Sequence, residues 1–138
     1  MNNENIDIDL SESEEMYLES ILVLSIENDK LRSVDIANYM DFSKPSVSVA
    51  IKKLKNYGLV NNEDNLIELT EKGREIAENV YEKHNILASI FIYLGVDKKQ
   101  AIEDACRLEH HISDEAYTKL KEYFRPKLDK NISKYEFD

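Results

Sequence analysis

The sequence predicts a mainly α-helical protein that carries one small β-hairpin. Only three glycines and two prolines interrupt its 138 residues, and 33% of the residues are charged, a composition that favours helices over strands. Signals for the start of a helix recur along the chain, whereas short extended pieces follow Gly58. With 42% apolar residues, a chain of this length can form one ordinary core or two very small ones.

Three helices are predicted before Gly58, each opened by a serine. Ser11 and Glu14 form an S-x-x-E capping box, and an apolar stripe follows it. Ser33 can cap the second helix, and the third has Pro45 in its first turn. The predicted helices run to about Asp29, over Val34–Met40, and from Ser43 to about Tyr57.

A hairpin is predicted after the third helix. Two short pieces with partial alternation, Leu59–Asn61 and Leu66–Leu69, flank the polar turn 62–65. Three helices followed by a two-stranded hairpin is the element order of a winged helix-turn-helix, in which the third helix enters the major groove of DNA and the hairpin contacts the flanking backbone.

The remainder of the chain is predicted to be helical. Helix caps and apolar positions that recur every three or four residues indicate three more helices. Their predicted spans are Thr70 to near Gly95, Asp97 through His111, and Ser113 to Phe124. The tail from Arg125 is predicted to be weakly ordered. The predicted domains are therefore a winged helix-turn-helix domain over 1–72 and an all-helical domain over 73–138.

The first turns of the third helix carry side chains suited to DNA contact. Short polar groups can reach base edges or phosphates, and Val49 is a candidate for contact with a thymine methyl. The predicted DNA-binding residues are Ser43, Lys44, Pro45, Ser46, Ser48, Val49, Lys52 and Lys53.

Charge is segregated along the chain. Between Lys30 and Gly58 six basic residues accompany two acidic ones, although the whole chain has a net charge of −10. Simple solvation of one helix face would also explain these lysines. The order of the elements favours a DNA-binding surface.

The chain has a single cysteine, Cys106, which cannot form an intramolecular disulfide and indicates a reducing compartment. Residues 1–10 are polar and acidic rather than a signal peptide, and the apolar runs are too short to span a bilayer. We therefore expect a cytoplasmic protein without a membrane partner.

Three potential metal ligands occur together in the run C-x-x-E-H, formed by Cys106, Glu109 and His110. Residues three and four apart lie side by side on a helix, so the pattern predicts that the three side chains converge. Burying a carboxylate and an imidazole there would be costly without a compensating cation. Taken alone, Cys106 is more typical of a small buried apolar residue, and His84 of a core histidine.

Several separate stretches together resemble one family, the metal-dependent repressors typified by the diphtheria toxin repressor and the manganese transport regulator. These stretches are Glu15–Ile21, Ser43–Ser48, Leu69–Gly73, Lys83-His84, Glu103–His110 and Ser113–Glu115. The resemblance covers roughly Ser13 to Phe124. It implies a homodimeric transcriptional regulator that binds operator DNA when loaded with a divalent transition metal and dimerises through the helices after the wing.

The resemblance also implies a ligand set. Met16, Cys106, Glu109 and His110 match the activating site of the iron-type regulators, while Glu19 and His84 match metal positions of the manganese-type regulators. The manganese-type pattern has carboxylates at the positions of Met16 and Cys106. Because a thioether and a thiolate favour softer ions, we expect Fe(II) as the signal, with Co(II), Ni(II) or Zn(II) able to substitute and Mn(II) less suited.

A second ion is an open alternative within the same resemblance. The ancillary site of the iron-type regulators has its companion ligands at Ala88 and Ile102 here, and neither side chain can bind a metal. His84 could instead hold a second ion with Glu19 and Glu109. The chain also resembles the short members that lack an SH3-like domain.

Three further alternatives stay open. One is a Mn(II)-responsive regulator of metal transport, and another is a metal-independent winged-helix regulator whose histidines and cysteine pack the core. The third is a metal-dependent hydrolase, which would need a substrate pocket of which the sequence gives little sign. We expect no enzyme activity and no small organic substrate.

Overall fold

The computed structural model describes residues 9–128, and the contacts within the chain divide it into two compact units, Met1–Ala77 and Glu78–Asp138. The first unit has the predicted order of three helices and a hairpin. Its elements are α1 (Glu12–Glu27), α2 (Ser33–Met40), α3 (Lys44–Asn56), β1 (Val60–Glu63) and β2 (Leu66–Leu69). The predicted winged helix-turn-helix fold is confirmed.

The helix caps of the first unit follow the sequence closely. Ser11 Oγ accepts a hydrogen bond from Glu14 N, and Glu14 Oε1 accepts one from Ser11 N, so the predicted capping box of α1 is present. The prediction for α2 was wrong by one residue. Ser33 is already helical, Arg32 is the N-cap, and the Arg32 N–H donates to Asp35 at 2.9 Å.

The wing has a tighter turn than the sequence predicted. β1 and β2 pair antiparallel with Val60 opposite Leu69, and the turn consists of Asp64 and Asn65, whose φ angles are 55° and 63°. Two consecutive left-handed residues match the right-handed twist of a hairpin. The predicted four-residue turn 62–65 was therefore wrong, because residues 62 and 63 belong to β1.

One apolar core holds the first unit together. α1 packs against α2, α3 and β2, and α3 packs against β1. The buried residues include Leu18, Ile21, Leu22, Ile36, Val47, Ile51, Leu54, Leu59, Val60 and Ile67. Because Val47, Ile51 and Leu54 form the buried side of α3, the opposite side of this helix is left for solvent and ligands.

The wing is attached to the following helix, α4 (Glu71–Tyr93). Thr70 Oγ1 donates to the Gly58 carbonyl at 2.8 Å and accepts from Gly73 N at 3.0 Å, which confirms Thr70 as the cap of α4. Gly73 passes so close to the wing that a Cβ built there would lie 2.0 Å from the Leu59 carbonyl oxygen. Only glycine permits this approach.

The second unit contains most of α4, then α5 (Lys98–Leu108) and α6 (Asp114–Phe124). Its core consists of Leu87, Ala88, Ala105 and Tyr117, with partly buried apolar residues around them. As predicted, Asp97 caps α5 and Ser113 caps α6. Within residues 9–128, no helix is both long and apolar enough to cross a membrane.

Two predictions for the second unit were wrong. α5 ends at Leu108 and not at His111, since Glu109 is its C-cap and the His111 N–H turns back to the Leu108 carbonyl. This tightening lets Ser113 reach the extended conformation it needs to cap α6. Arg125–Lys127 form a short 3₁₀ helix where the sequence suggested weak order. The rest of that predicted tail lies outside the described residues.

Candidate metal centre and DNA interface

Three titratable side chains meet inside the second unit. His84 comes from α4, while Glu109 and His110 follow the end of α5. Glu109 Oε1 lies 2.8 Å from His84 Nδ1, and Glu109 Oε2 lies 3.3 Å from His110 Nε2. The three side chains are 7%, 0% and 0% exposed for His84, Glu109 and His110. A carboxylate is thus buried between two imidazoles.

This cluster fits a divalent transition metal. A buried carboxylate is stable only when paired or coordinated, and two imidazole nitrogens with a carboxylate oxygen form a donor set that suits Fe(II), Mn(II), Co(II) or Zn(II). Glu109 Oε1 contacts Nδ1 of the His84 ring. The other nitrogen of this ring is Nε2. Carboxylate–histidine contacts of this kind commonly orient a metal-binding imidazole.

The other three predicted ligands lie on α1 and α5. Met16 and Glu19 are half-buried on α1 in the first unit. Cys106 is exposed on α5, whereas Glu109 and His110, three and four residues later, have buried side chains. The structure therefore brings Glu109 and His110 together with His84, and it does not bury Cys106 with them. The roles of Met16, Glu19 and Cys106 as ligands stay predictions.

One neighbour of this cluster was not foreseen from the sequence. The Tyr81 ring is stacked on His84, with centroids 6.2 Å apart and planes within 8°, and Tyr81 is 1% exposed. Its spacing of three residues from His84 on α4 is the signal that could have indicated this contact. Tyr81 therefore forms part of the buried surroundings of His84.

The exposed side of α3 carries the predicted DNA-binding residues. All eight are exposed, and the apolar Val49 is 69% exposed. Ser43 is the N-cap of α3, where its Oγ accepts from Ser46 N at 3.2 Å. Ser43 Oγ also donates to Ser46 Oγ at 2.9 Å. Contact of these residues with DNA stays a prediction.

Lys53 has a partner that the sequence did not suggest. Its Nζ lies 3.0 Å from Glu14 Oε2, and the two side chains are 58% and 9% exposed for Lys53 and Glu14. Burial raises the pKa of Glu14, but the hydrogen bonds from Ser11 and Lys53 outweigh it, so this pKa lies below its ordinary value. The same contact raises the pKa of Lys53. No local pattern links residues 39 positions apart.

Comparison with known proteins agrees with both parts of the geometry. Residues 9–66 match the family model of the iron dependent repressor N-terminal DNA binding domain, and residues 70–129 match that of the iron dependent repressor metal binding and dimerisation domain. An uncharacterized HTH-type transcriptional regulator of Methanocaldococcus jannaschii is 37% identical over 124 residues, covering 88% of this chain and 99% of that relative. The chain belongs to the iron-dependent repressor family.

Members of the iron-dependent repressor family are metal-dependent, DNA-binding transcriptional regulators rather than enzymes. The expectation that this chain is not an enzyme is therefore confirmed by its family, and so is the resemblance seen in the sequence.

Relatives within the iron-dependent repressor family include a toxin repressor and a manganese-dependent repressor. The diphtheria toxin repressor of Corynebacterium glutamicum is 34% identical over 116 residues, which cover 83% of this chain and 51% of the repressor. A manganese-dependent transcriptional repressor solved with manganese has a TM-score of 0.74 and 25% identity, over 81% of this chain and 52% of its own. The chain thus spans about half the length of these two proteins.

Proposed function

We propose that this chain is a transcriptional repressor that binds operator DNA as a homodimer when it is loaded with a divalent transition metal, preferentially Fe(II). The observation that carries the proposal is the Glu109 carboxylate buried between His84 and His110. This cluster lies in the segment that matches the metal binding and dimerisation model, and the same chain has a winged helix-turn-helix.

The proposed ligands have two kinds of support. His84, Glu109 and His110 are supported by their buried cluster, and the family resemblance adds Met16, Glu19 and Cys106. A bound divalent ion would supply the positive charge that offsets the buried Glu109 carboxylate. Fe(II) is preferred because the thioether of Met16 and the thiolate of Cys106 are softer than the carboxylates of a manganese-type site.

The DNA-binding part of the proposal rests on α3. Its buried side is fixed by the apolar core, so Ser46, Val49 and Lys52 are presented on a rigid helix. In a homodimer the two copies of α3 would read half-sites about one DNA turn, roughly 34 Å, apart. Metal loading favours the DNA-competent arrangement only to the extent that this arrangement binds the metal more tightly.

An anaerobic DNA-binding titration tests the function. The native chain should bind a duplex selected from random sequence when Fe(II) is present and lose that binding when a chelator is added. Glu109→Gln should abolish the response to Fe(II), and His111→Ala is the matched control, because His111 is an exposed neighbour of the cluster. Binding that is equal with Fe(II) and with chelator would show a metal-independent regulator instead.

A Mn(II)-responsive regulator is the second candidate. It is favoured by the 2.8 Å contact between His84 and Glu109, because His84 matches a metal position of the manganese-type regulators and Glu109 could bridge two ions there. Counting bound metal in Glu19→Ala and His84→Ala separates one bound ion per chain from two.

The preference for Fe(II) is tested in the same DNA-binding assay. Combining Met16→Asp with Cys106→Glu should shift the response from Fe(II) towards Mn(II). An unchanged metal preference would contradict the iron assignment.

A further inference from the structure

We infer that Glu14 is a positioning residue that couples α1 to the recognition helix α3 through Lys53, and that this coupling helps to transmit metal loading to DNA binding. The inference rests on the proposed function, because two of the proposed ligands, Met16 and Glu19, follow Glu14 on α1. It concerns contacts that lie entirely within the first unit.

The carboxylate of Glu14 joins two helices. Its Oε1 accepts from Ser11 N at 2.9 Å, which fixes it to the start of α1. Its Oε2 lies 3.0 Å from Lys53 Nζ on α3. The Glu14 side chain is 9% exposed and the Lys53 side chain is 58% exposed, so a nearly buried carboxylate meets a lysine that extends into solvent.

Outside the shared apolar core, the two helices flank an open space at this end. An open cleft of about 510 Å³ lies between the start of α1 and the exposed side of α3, and its lining includes Ser13, Tyr17, Pro45 and Val49. The Glu14–Lys53 pair is part of the wall of this cleft. The ion pair therefore links the two helices beside this open space, in addition to the apolar core.

The link lies on the side of α3 that carries the predicted DNA contacts. Lys53 is itself one of the predicted residues, and Val49 lies one turn before it. When ligands on α1 are held by a bound ion, the pair passes that restraint to the DNA-contacting side of α3. Removing the pair leaves the apolar core of α3 intact, so metal loading and DNA binding should each persist but become less coupled.

The test compares operator affinity with and without metal. Glu14→Gln and Lys53→Met, alone and combined, are titrated with the selected duplex in chelator and in saturating Fe(II) under anaerobic conditions. We expect each single variant to reduce the metal-dependent gain in affinity by at least about threefold, in line with residues that modulate coupling. The double variant should lose no more than either single variant, because both changes remove the same contact. The number of metal ions bound should stay as in the native chain.

Lys52→Met is the matched control, because Lys52 is the neighbouring exposed lysine on α3. It should weaken DNA binding by the same factor with and without Fe(II), so that its metal-dependent gain equals that of the native chain. Thermal unfolding of every variant checks the fold, and Lys53→Met keeps the test valid even if Glu14→Gln unfolds, since Lys53 is exposed.

The outcomes separate the two proposals. If the native chain responds to Fe(II) and the Glu14 and Lys53 variants keep the native gain, the coupling role of Glu14 is overturned while the proposed function stands. If the native chain binds the duplex equally with Fe(II) and with chelator, both are overturned. A reduced gain with unchanged metal content supports the inference.

Discussion

At the residue scale, Gly73 fixes the distance between the wing and α4. A Cβ at this position would lie 2.0 Å from the carbonyl oxygen of Leu59 and 2.9 Å from its carbonyl carbon, and these backbone atoms cannot rotate away. Gly73→Ala should therefore lower the free energy of unfolding by about 1–3 kcal/mol, the usual range for overpacking. Urea unfolding measures this change. The exposed Glu75→Ala is the control and should change stability by less than about 0.5 kcal/mol.

The stability of the second unit depends on pH through Glu82. It accepts hydrogen bonds from the Tyr117 hydroxyl at 2.8 Å and from Lys121 Nζ. Burial raises the pKa of Glu82, but these contacts outweigh it and hold the pKa below its ordinary value of 4.5. The stability that the ionised Glu82 contributes is thus fully present above pH 4.5 and is lost as the pH falls through the lowered pKa.

The variant Glu82→Gln tests this dependence, because its amide does not titrate. We expect the difference in unfolding free energy between the native chain and the variant to be largest near neutral pH and to shrink below pH 4.5. Denaturant unfolding at a series of pH values measures the difference. A difference that stays constant across the acid range would contradict the role of the Glu82 carboxylate.

At the scale of elements, α3 depends on Ser43 both for its start and for its predicted contact with DNA. Ser43 Oγ accepts from Ser46 N, and removing such a cap costs about 1 kcal/mol of stability. Ser43→Ala should therefore lower the unfolding midpoint and weaken binding of the selected duplex. Ser48→Ala removes an exposed hydroxyl from the middle of α3. It should weaken DNA binding and leave the unfolding midpoint unchanged. Equal thermal stability of Ser43→Ala and the native chain would show that the cap is unimportant.

At the scale of the whole molecule, the segment around α3 has a net positive charge although the chain as a whole is acidic. The net charge is −10 overall, while residues 30–58 have six basic and two acidic side chains. DNA affinity should therefore depend on a few lysines and fall steeply with salt. We expect Lys44→Ala to reduce the slope of log affinity against log salt by about 0.9, the value for one lost phosphate contact. An unchanged slope would place Lys44 outside the DNA interface.

The helix starts and the hairpin could be predicted from the sequence because their causes are local. A capping serine contacts a backbone N–H three residues later, as at Ser11, Ser43 and Ser113. Apolar periodicity likewise indicates which side of α3 is buried. The ends of elements were less predictable from the sequence. α5 ends at Leu108, and the chain then turns so that Ser113 can cap α6.

The sequence by itself determined the family and the winged helix-turn-helix, and it predicted the residues that bind metal or DNA. Only the tertiary structure decided which of these side chains meet. It buries Glu109 between His84 and His110 and leaves Cys106 exposed, and it pairs Glu14 with Lys53. The physical reason is that burial and ion pairing depend on which elements pack together, and residues far apart in the chain have no local signal for that contact.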